Sequence, residues 1–394
     1  TATSAVCVTG LVTVDTSTFT RFGQIVILAL IQIGGLGIIS FTSIMLVLPG
    51  RRLPFRRLRT IRSFSVEGVE SDPVRIVRGI VVSILLIEGL GALILYSLFT
   101  RAGVPDALFA AVFHSISAFC NAGFSTFPDS LVRFQRYPVV LAVVSALIVA
   151  GGIGFIVLQD LARRVRGRKR SLSYHARLML WITAVLILAG AAAYFFLEGQ
   201  AAFLGMDPLD RAANAVFQSV TPRTAGFNAV PQTALTQPSR FLTILLMFIG
   251  GAPGSIAGGV KLATAYVVLM VMLTKANEKG EINAFGRRLT PEIINSAVAY
   301  FIKSAFLLVI ASGLLSISEA SRGADLGRIV FEVTSALGTV GLSLDFTSGL
   351  STAGKLVIIA TMFIGRVGLL AILFLGGGAR ARARVYPRAG ILIG

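Results

Sequence analysis

Histidine and cysteine are nearly missing from this chain, with two of each in 394 residues. Cys7 and Cys120 are too few for a disulfide framework or a cysteine-rich metal centre. His114 and His175 form no H-E-x-x-H motif, and neither a G-x-S-x-G elbow nor a Walker A loop is present, so no enzyme class finds support. Charge is also scarce, at 14% of residues against 55% hydrophobic, with a mean hydropathy of +0.83. That balance excludes an ordinary soluble domain and points to a multi-span membrane protein. The alternating strands of a β-barrel are missing too, which leaves helices. No signal peptide is expected from the residues that follow Thr1.

A bilayer span needs about 20 apolar residues. Seven stretches qualify, at roughly 22–48, 74–99, 138–161, 172–197, 240–273, 293–317 and 352–376. The formal charge of +18 suggests nucleic acid until its distribution is traced. Basic residues cluster after every second span: Arg51, Arg52, Arg56, Arg57, Arg59 and Arg62; then Arg163, Arg164, Arg166, Arg168, Lys169 and Arg170. Two further clusters hold Lys275, Lys279, Arg287 and Arg288, and Arg380, Arg382, Arg384 and Arg388. The intervening connections carry Asp15, Asp106, Asp129, Asp207, Asp210, Asp325 and Asp345. Short basic loops stay in the cytoplasm, so the charge is a topology signal and no nucleic-acid partner is expected. The expected location is a membrane spanned several times, with the basic loops on the cytoplasmic side.

Four short segments resemble one another: CVTGLV (7–12), CNAGFS (120–125), RTAGFN (223–228) and GTVGLS (338–343). Their glycines, Gly10, Gly123, Gly226 and Gly341, stand 113, 103 and 115 residues apart, which marks four copies of one unit. Three copies follow apolar segments at 105–119, 207–220 and 324–337, opened by helix-start signals such as Asp207 before Pro208. At about 14 residues, or roughly 21 Å as a helix, these are too short to span. A second signature follows in the next span: IGGLG (33–37), AGGIG (150–154), IGGAPG (249–254) and IGRVG (364–368). The expected fold is therefore an all-α polytopic membrane protein. Four span, re-entrant helix, loop, span repeats surround a central pore, at 1–68, 69–170, 171–289 and 290–394. The first repeat lacks its leading span in the chain as given, so a span before Thr1 and a total of eight are expected.

Irregular backbone at membrane depth is tolerated where protein buries it or a watery cavity meets it. Four such loops around an axis offer backbone carbonyls to replace a cation's hydration shell. The helix C-termini would add their partial negative charge, and glycine keeps side chains out of the path. Isolated glycines elsewhere in the spans are expected to serve close helix packing.

These motifs resemble the Trk/Ktr/HKT superfamily of potassium transporters, and most of all the membrane subunits of bacterial Ktr systems. The resemblance covers essentially the whole chain and implies a potassium-permeable pore. It places the filter carbonyls at Cys7, Val8, Thr9 and Gly10; at Cys120, Asn121, Ala122 and Gly123; at Arg223, Thr224, Ala225 and Gly226; and at Gly338, Thr339, Val340 and Gly341. In plant relatives a serine at the first filter glycine accompanies sodium transport, so Gly10 implies potassium preference. Cys7 and Cys120 are expected to pack behind the filter, and Arg223 to prop its loop or pair with an acidic neighbour. The resemblance also implies a homodimer and a cytosolic ring of nucleotide-binding RCK subunits, with membrane lipid around the protein. Potassium is the transported ion and no organic cofactor is expected.

Span 240–273 is overlong and broken at 250–259, where Gly250, Gly251, Pro253, Gly254, Ser255, Gly258 and Gly259 interrupt helical hydrogen bonding. Such a loop below the filter suits a gate, and the resemblance implies the same. Arg366 stands where the other units have Gly35, Gly152 and Gly251. An arginine facing lipid is costly, so Arg366 is expected to hold carbonyls of the loop and keep it shut, with Lys261 beside it. Glu88 and Lys303 are expected as structural partners, and His114 as a packing residue. Asp15, Asp129 and Asp345 admit two readings, concentrating cations at the mouth or plain loop charge. Passive gated conduction is preferred over coupled sodium or proton symport, since no inverted repeat is evident; a sodium-permeable member of the same family is the further alternative.

Overall fold

The computed structural model describes residues 1–47, 73–167, 171–277, 280–284 and 286–368, leaving aside the side chains of 38–47 and 73–77. The basic residues at 51–62, 168–170, 279 and 380–388, and the end of the seventh apolar stretch, lie outside the described residues.

Helix α1 (Ala2–Cys7) and α2 (Arg21–Val47) come first, then α3 (Pro73–Arg101), α4 (Ala107–Phe119), α5 (Pro138–Gly152) and α6 (Phe155–Val165). Next come α7 (Tyr174–Leu197), α8 (Pro208–Val220), α9 (Gln237–Phe248) and α10 (Leu262–Leu273). A two-stranded antiparallel hairpin, β1 (Ile282–Ala284) and β2 (Arg287–Leu289), precedes α11 (Pro291–Ser318), α12 (Leu326–Gly338) and α13 (Thr352–Val367). The hairpin departs from an all-helical reading; it sits in the basic connection of the third unit, a stretch too polar to span.

Three described helices are long and apolar enough to cross a bilayer: α3 from Arg78, α7 and α11. Each is followed by a short helix of 13 residues, about 20 Å long at 1.5 Å per residue and so too short to cross. Their starts differ. Asp325 caps α12 by accepting from the Arg328 amide. Asp207 makes no side-chain cap and leaves Pro208 to open α8. The Asp106 carboxylate pairs instead with Arg21 of α2.

The short helices are the buried layer. Each packs on the long helix before it, α4 on α3, α8 on α7 and α12 on α11. Each also receives the second helix of the preceding unit, α2 on α4, α5 on α8 and α9 on α12, while α13 returns to α1. The packing therefore closes into a ring around the ends of the short helices. Apolar side chains on the outer faces, such as Leu86 and Leu93 of α3, Leu188 of α7 and Phe306 and Val309 of α11, remain exposed.

One span expectation needs correction. The stretch 138–161 is not one straight helix: α5 stops at Gly152 and α6 leaves at 107°. Gly154, at φ 87°, turns the chain. The break persists because its freed groups are paired. Gly152 O accepts from the Ala252 amide at 2.9 Å, Gly151 O accepts from that of Ile256 at 3.3 Å, and the Phe155 amide donates to Gly254 O at 3.1 Å. The broken helix of the second unit and the 249–261 connection of the third satisfy each other's backbone, the condition for irregular chain at membrane depth.

Candidate functional site

The four loop glycines meet. A Cβ placed on Gly10 would stand 2.7 Å from the Ala122 carbonyl oxygen, and one on Gly123 would stand 2.8 Å from that of Ala225. A Cβ on Gly226 would meet the Val340 oxygen, and one on Gly341 the Thr9 oxygen, closer still. Next after those oxygens comes the Cα of a neighbouring glycine, so the cycle Gly10, Gly123, Gly226, Gly341 and back to Gly10 closes. All four have positive φ, at 106°, 70°, 76° and 97°. No side chain fits there without displacing the neighbouring carbonyl, which is why the position is glycine.

Two residues earlier, each loop again turns left-handed, at Val8 (φ 54°), Asn121 (55°), Thr224 (75°) and Thr339 (49°). Positive φ is uncommon for such residues and is a real cost for the β-branched three. Alternating hand along a strand of chain brings successive carbonyls to one side. The side chains go the other way: Val8, Thr9, Asn121, Ala122, Thr224, Ala225, Thr339 and Val340 are all buried, whereas Gly10, Gly123, Gly226 and Gly341 line an open cavity of about 340 Å³. Asp15 and Asp345 line that cavity; Asp129 does not, and is paired with Arg133 at 2.7 Å.

Hydroxyl groups hold the strained turns from behind. Ser4 Oγ accepts from the Gly10 amide at 2.9 Å and Ser335 Oγ from the Gly341 amide at 3.0 Å. Ser117 Oγ donates to Phe124 O and Thr221 Oγ1 to Phe227 O, each at 2.7 Å. Sequence reasoning missed these residues although their signal was present. SAVCVTG, SAFCNAG and SALGTVG all carry Ser-Ala at the same distance before the glycine, and only the third unit, with TPRTAG, is one residue shorter. Asn121, expected to act through its carbonyl, also meets Thr224 of the next wall at 3.2 Å through its side chain.

Cys7 and Cys120 are buried behind the loops. Cys120 lies 3.7 Å from Glu88 and from Gln32, and Gln32 donates to the Glu88 carboxylate at 3.0 Å. Glu88 thus has structural partners at the back of the second loop, while Lys303 is exposed on α11. Arg223 has no acidic neighbour in contact among the described residues; it reaches Thr183 of α7, 3.5 Å from its carbonyl and 3.4 Å from its hydroxyl.

The second glycine signature has a packing cause. A Cβ on Gly34, Gly151 or Gly365 would collide with the carbonyls of Val6, Phe119 and Leu337, the last turns of α1, α4 and α12. These glycines let a long helix lie against the end of a short one. In the third unit Gly250 instead faces the carbonyl of Gly258, within the connection itself.

That connection, Ile249 to Lys261, runs beside the fourth loop: Gly258 abuts Thr339 and the Gly338 carbonyl, and Gly259 abuts the Cα of Gly338. Pro253, Gly254 and Ser255 form its turn, packed into the α5–α6 break. Gly251 O accepts from the Leu262 amide at 2.9 Å. Two cations hold adjacent carbonyls, Arg366 Nη1 donating to Ile256 O and Lys261 Nζ to Ala257 O. Arg366 Nη2 also donates to Gly34 O of α2 at 2.9 Å. The guanidinium is buried, as an arginine among apolar helices must be to find partners.

The family model described as "TrkH: Cation transport protein" matches residues 1–376. A Ktr system potassium uptake protein B of Bacillus subtilis is 39% identical over 378 residues, covering 95% of this chain and 84% of the relative. A potassium/sodium uptake protein, NtpJ of Enterococcus hirae, is 37% identical over 402 residues, covering 100% and 88%. Among solved structures, the potassium transporter TrkH from Vibrio parahaemolyticus aligns with a TM-score of 0.71 at 20% identity, over 97% of this chain and 77% of that one, and so shares the fold. The chain belongs to the TrkH family of cation transport proteins, a family of membrane transporters and not of enzymes, within the Trk/Ktr superfamily that its loop motifs resemble.

Proposed function

We propose that this chain is the ion-conducting membrane subunit of a gated bacterial potassium uptake system, in which backbone carbonyls of four loops take the place of the ion's water. The observation that carries this reading is the closed cycle of Gly10, Gly123, Gly226 and Gly341, each facing the carbonyl beside the next. Carbonyl dipoles with their side chains buried behind them suit a monovalent cation that must bind and leave. The ends of α1, α4, α8 and α12 converge there with their partial negative charge.

The gate in this reading is the 249–261 connection, pinned by Arg366 and Lys261. The buried Arg366 and the half-buried Lys261 oppose an approaching potassium ion, and both are attached to a segment with several glycines that is able to move. Conduction then requires that Arg366 release Ile256. Names such as "Ktr system … protein B" support a subunit that works with others. We assign a homodimer and a cytosolic ring of nucleotide-binding RCK subunits to that role, with lipid against the exposed apolar faces of α3, α7 and α11 and the basic loops on the cytoplasmic side of a bacterial plasma membrane. The Enterococcus relative is named a potassium/sodium uptake protein, which favours a second reading in which sodium also passes.

Reconstitution in liposomes tests the proposal. Reversal potentials that follow the potassium gradient alone fit a passive pore. Uphill potassium uptake driven by an imposed sodium or proton gradient supports coupled symport and contradicts it, whereas a reversal potential that also shifts with sodium supports the second reading.

A further inference from the structure

The short helices do more than point their ends at the glycines. In every unit a polar side chain nine residues before the glycine, eight in the shortened third unit, reaches forward to the limb that leaves the glycine. His114 Nε2 meets Ser125 Oγ at 2.8 Å. Gln218 and Gln232 exchange amide bonds at 2.9 and 3.2 Å. Glu332 accepts from Ser343 Oγ at 2.7 Å and also from Thr347 Oγ1. In the first unit Thr1 Oγ1 lies 3.3 Å from Thr13 Oγ1. The residue types share nothing but the ability to hydrogen bond, yet they occupy one place in the fold.

We infer that these four side chains are positioning residues for ion selectivity, with Glu332 the decisive one: each clamps the outward limb of its own loop from behind and so fixes the carbonyls around the glycines. Three features support this. Three of the clamping groups stay off the cavity surface, His114 and Glu332 at 0% exposure and Gln218 at 1%, while Thr1 is half-buried. Their partners Thr13, Ser125, Ser343 and Thr347 do line the 340 Å³ cavity, so the clamps of the first, second and fourth units join the cavity wall to a short helix, while Gln232 of the third is buried behind that wall. Each bond is also costly to lose. A buried polar group without a partner loses its full solvation, and a carboxylate, which only accepts, is matched by two hydroxyl donors. Glu332 is the one acidic clamp, and charge-assisted bonds hold geometry more tightly than neutral ones. His114 is further fixed by Ala110 O at 2.7 Å and by stacking on Phe127 at 4.6 Å.

This inference rests on the filter reading, so its test keeps the two apart. Potassium-over-sodium permeability ratios are measured from reversal potentials in liposomes for Glu332→Ala, Glu332→Gln, the double variant Ser343→Ala with Thr347→Val, His114→Leu and Gly10→Ser. Glu332→Ala and the hydroxyl double variant are expected to lower the ratio by roughly tenfold, the ratio that about 1.4 kcal/mol represents. Glu332→Gln is expected to restore most of it, since a glutamine already performs the task at 218. His114→Leu keeps volume and loses the clamp, so it lowers the ratio even if Glu332→Ala does not fold. A wild-type ratio in the folded double variant and in His114→Leu overturns the inference. If Gly10→Ser shifts the ratio while the clamp variants do not, the clamp alone fails. If Gly10→Ser leaves the ratio unchanged, the filter reading fails first.

Discussion

Arg366 of α13 donates from Nη2 to the carbonyl of Gly34 on α2 at 2.9 Å, tying the last unit of the chain to the first across 332 positions. The same guanidinium holds the Ile256 carbonyl of the third unit through Nη1, and that segment is in turn bonded into the α5–α6 break of the second. One side chain therefore links every quarter of the molecule just behind the glycine cycle.

Replacing Arg366 with alanine removes both bonds and the buried positive charge of its guanidinium. Potassium or rubidium uptake into liposomes is expected to rise, because the 249–261 connection loses its latch. Unchanged or lower flux in a folded variant contradicts a closing role.

The packing glycines make a prediction about stability alone. Gly151→Ala puts a methyl group onto the Phe119 carbonyl, and Gly34→Ala does the same at Val6. Each is expected to cost about 1–3 kcal/mol, the range for overfilling a packed interface, read as a lower melting temperature in detergent. Gly89→Ala in α3 meets nothing within 4 Å and is expected to be neutral or to gain up to about 1 kcal/mol from helix propensity. Equal melting temperatures for all three contradict the close approach.

The two aspartates on the cavity wall differ from the third beside it. Asp15 and Asp345 line the cavity, and Asp129 is engaged with Arg133. Neutralising Asp15 or Asp345 to asparagine is expected to weaken uptake at low potassium and low ionic strength, with the loss fading as salt screens the mouth. Asp129→Asn serves as the control. A salt-independent loss, or an equal loss in the control, assigns these residues to structure instead.

Much of this arrangement was legible in the sequence because it repeats. Gly10, Gly123, Gly226 and Gly341 recur at near-constant spacing behind segments too short to span, and the glycines between 250 and 259 announce a break. What was not legible depends on partners distant in the chain. AGGIG at 150–154 resembles IGGLG at 33–37, yet α2 continues through its copy and α5 ends at the other, since Ala252, Gly254 and Ile256 are there to pair the freed backbone. The left-handed turns at Val8, Thr224 and Thr339 give no composition signal, because β-branched residues adopt that hand only when tertiary structure enforces it; Asn121 alone is of a type that visits it readily. The helix-to-limb clamps were hidden for the same reason, their members being threonine, histidine, glutamine and glutamate in turn. The repeated Ser-Ala pair before three of the glycines was visible, and it is the one signal a closer reading of the repeats would have caught.

The central claim is that four carbonyl-bearing loops, closed around Gly10, Gly123, Gly226 and Gly341, select the ion. Its most direct test is the potassium-over-sodium permeability ratio of Gly10→Ser beside the unaltered protein, both reconstituted in liposomes. A serine side chain at φ 106° would press on the Ala122 carbonyl, so the ratio is expected to fall by roughly tenfold, about 1.4 kcal/mol of discrimination. An equal ratio in the two proteins contradicts the account.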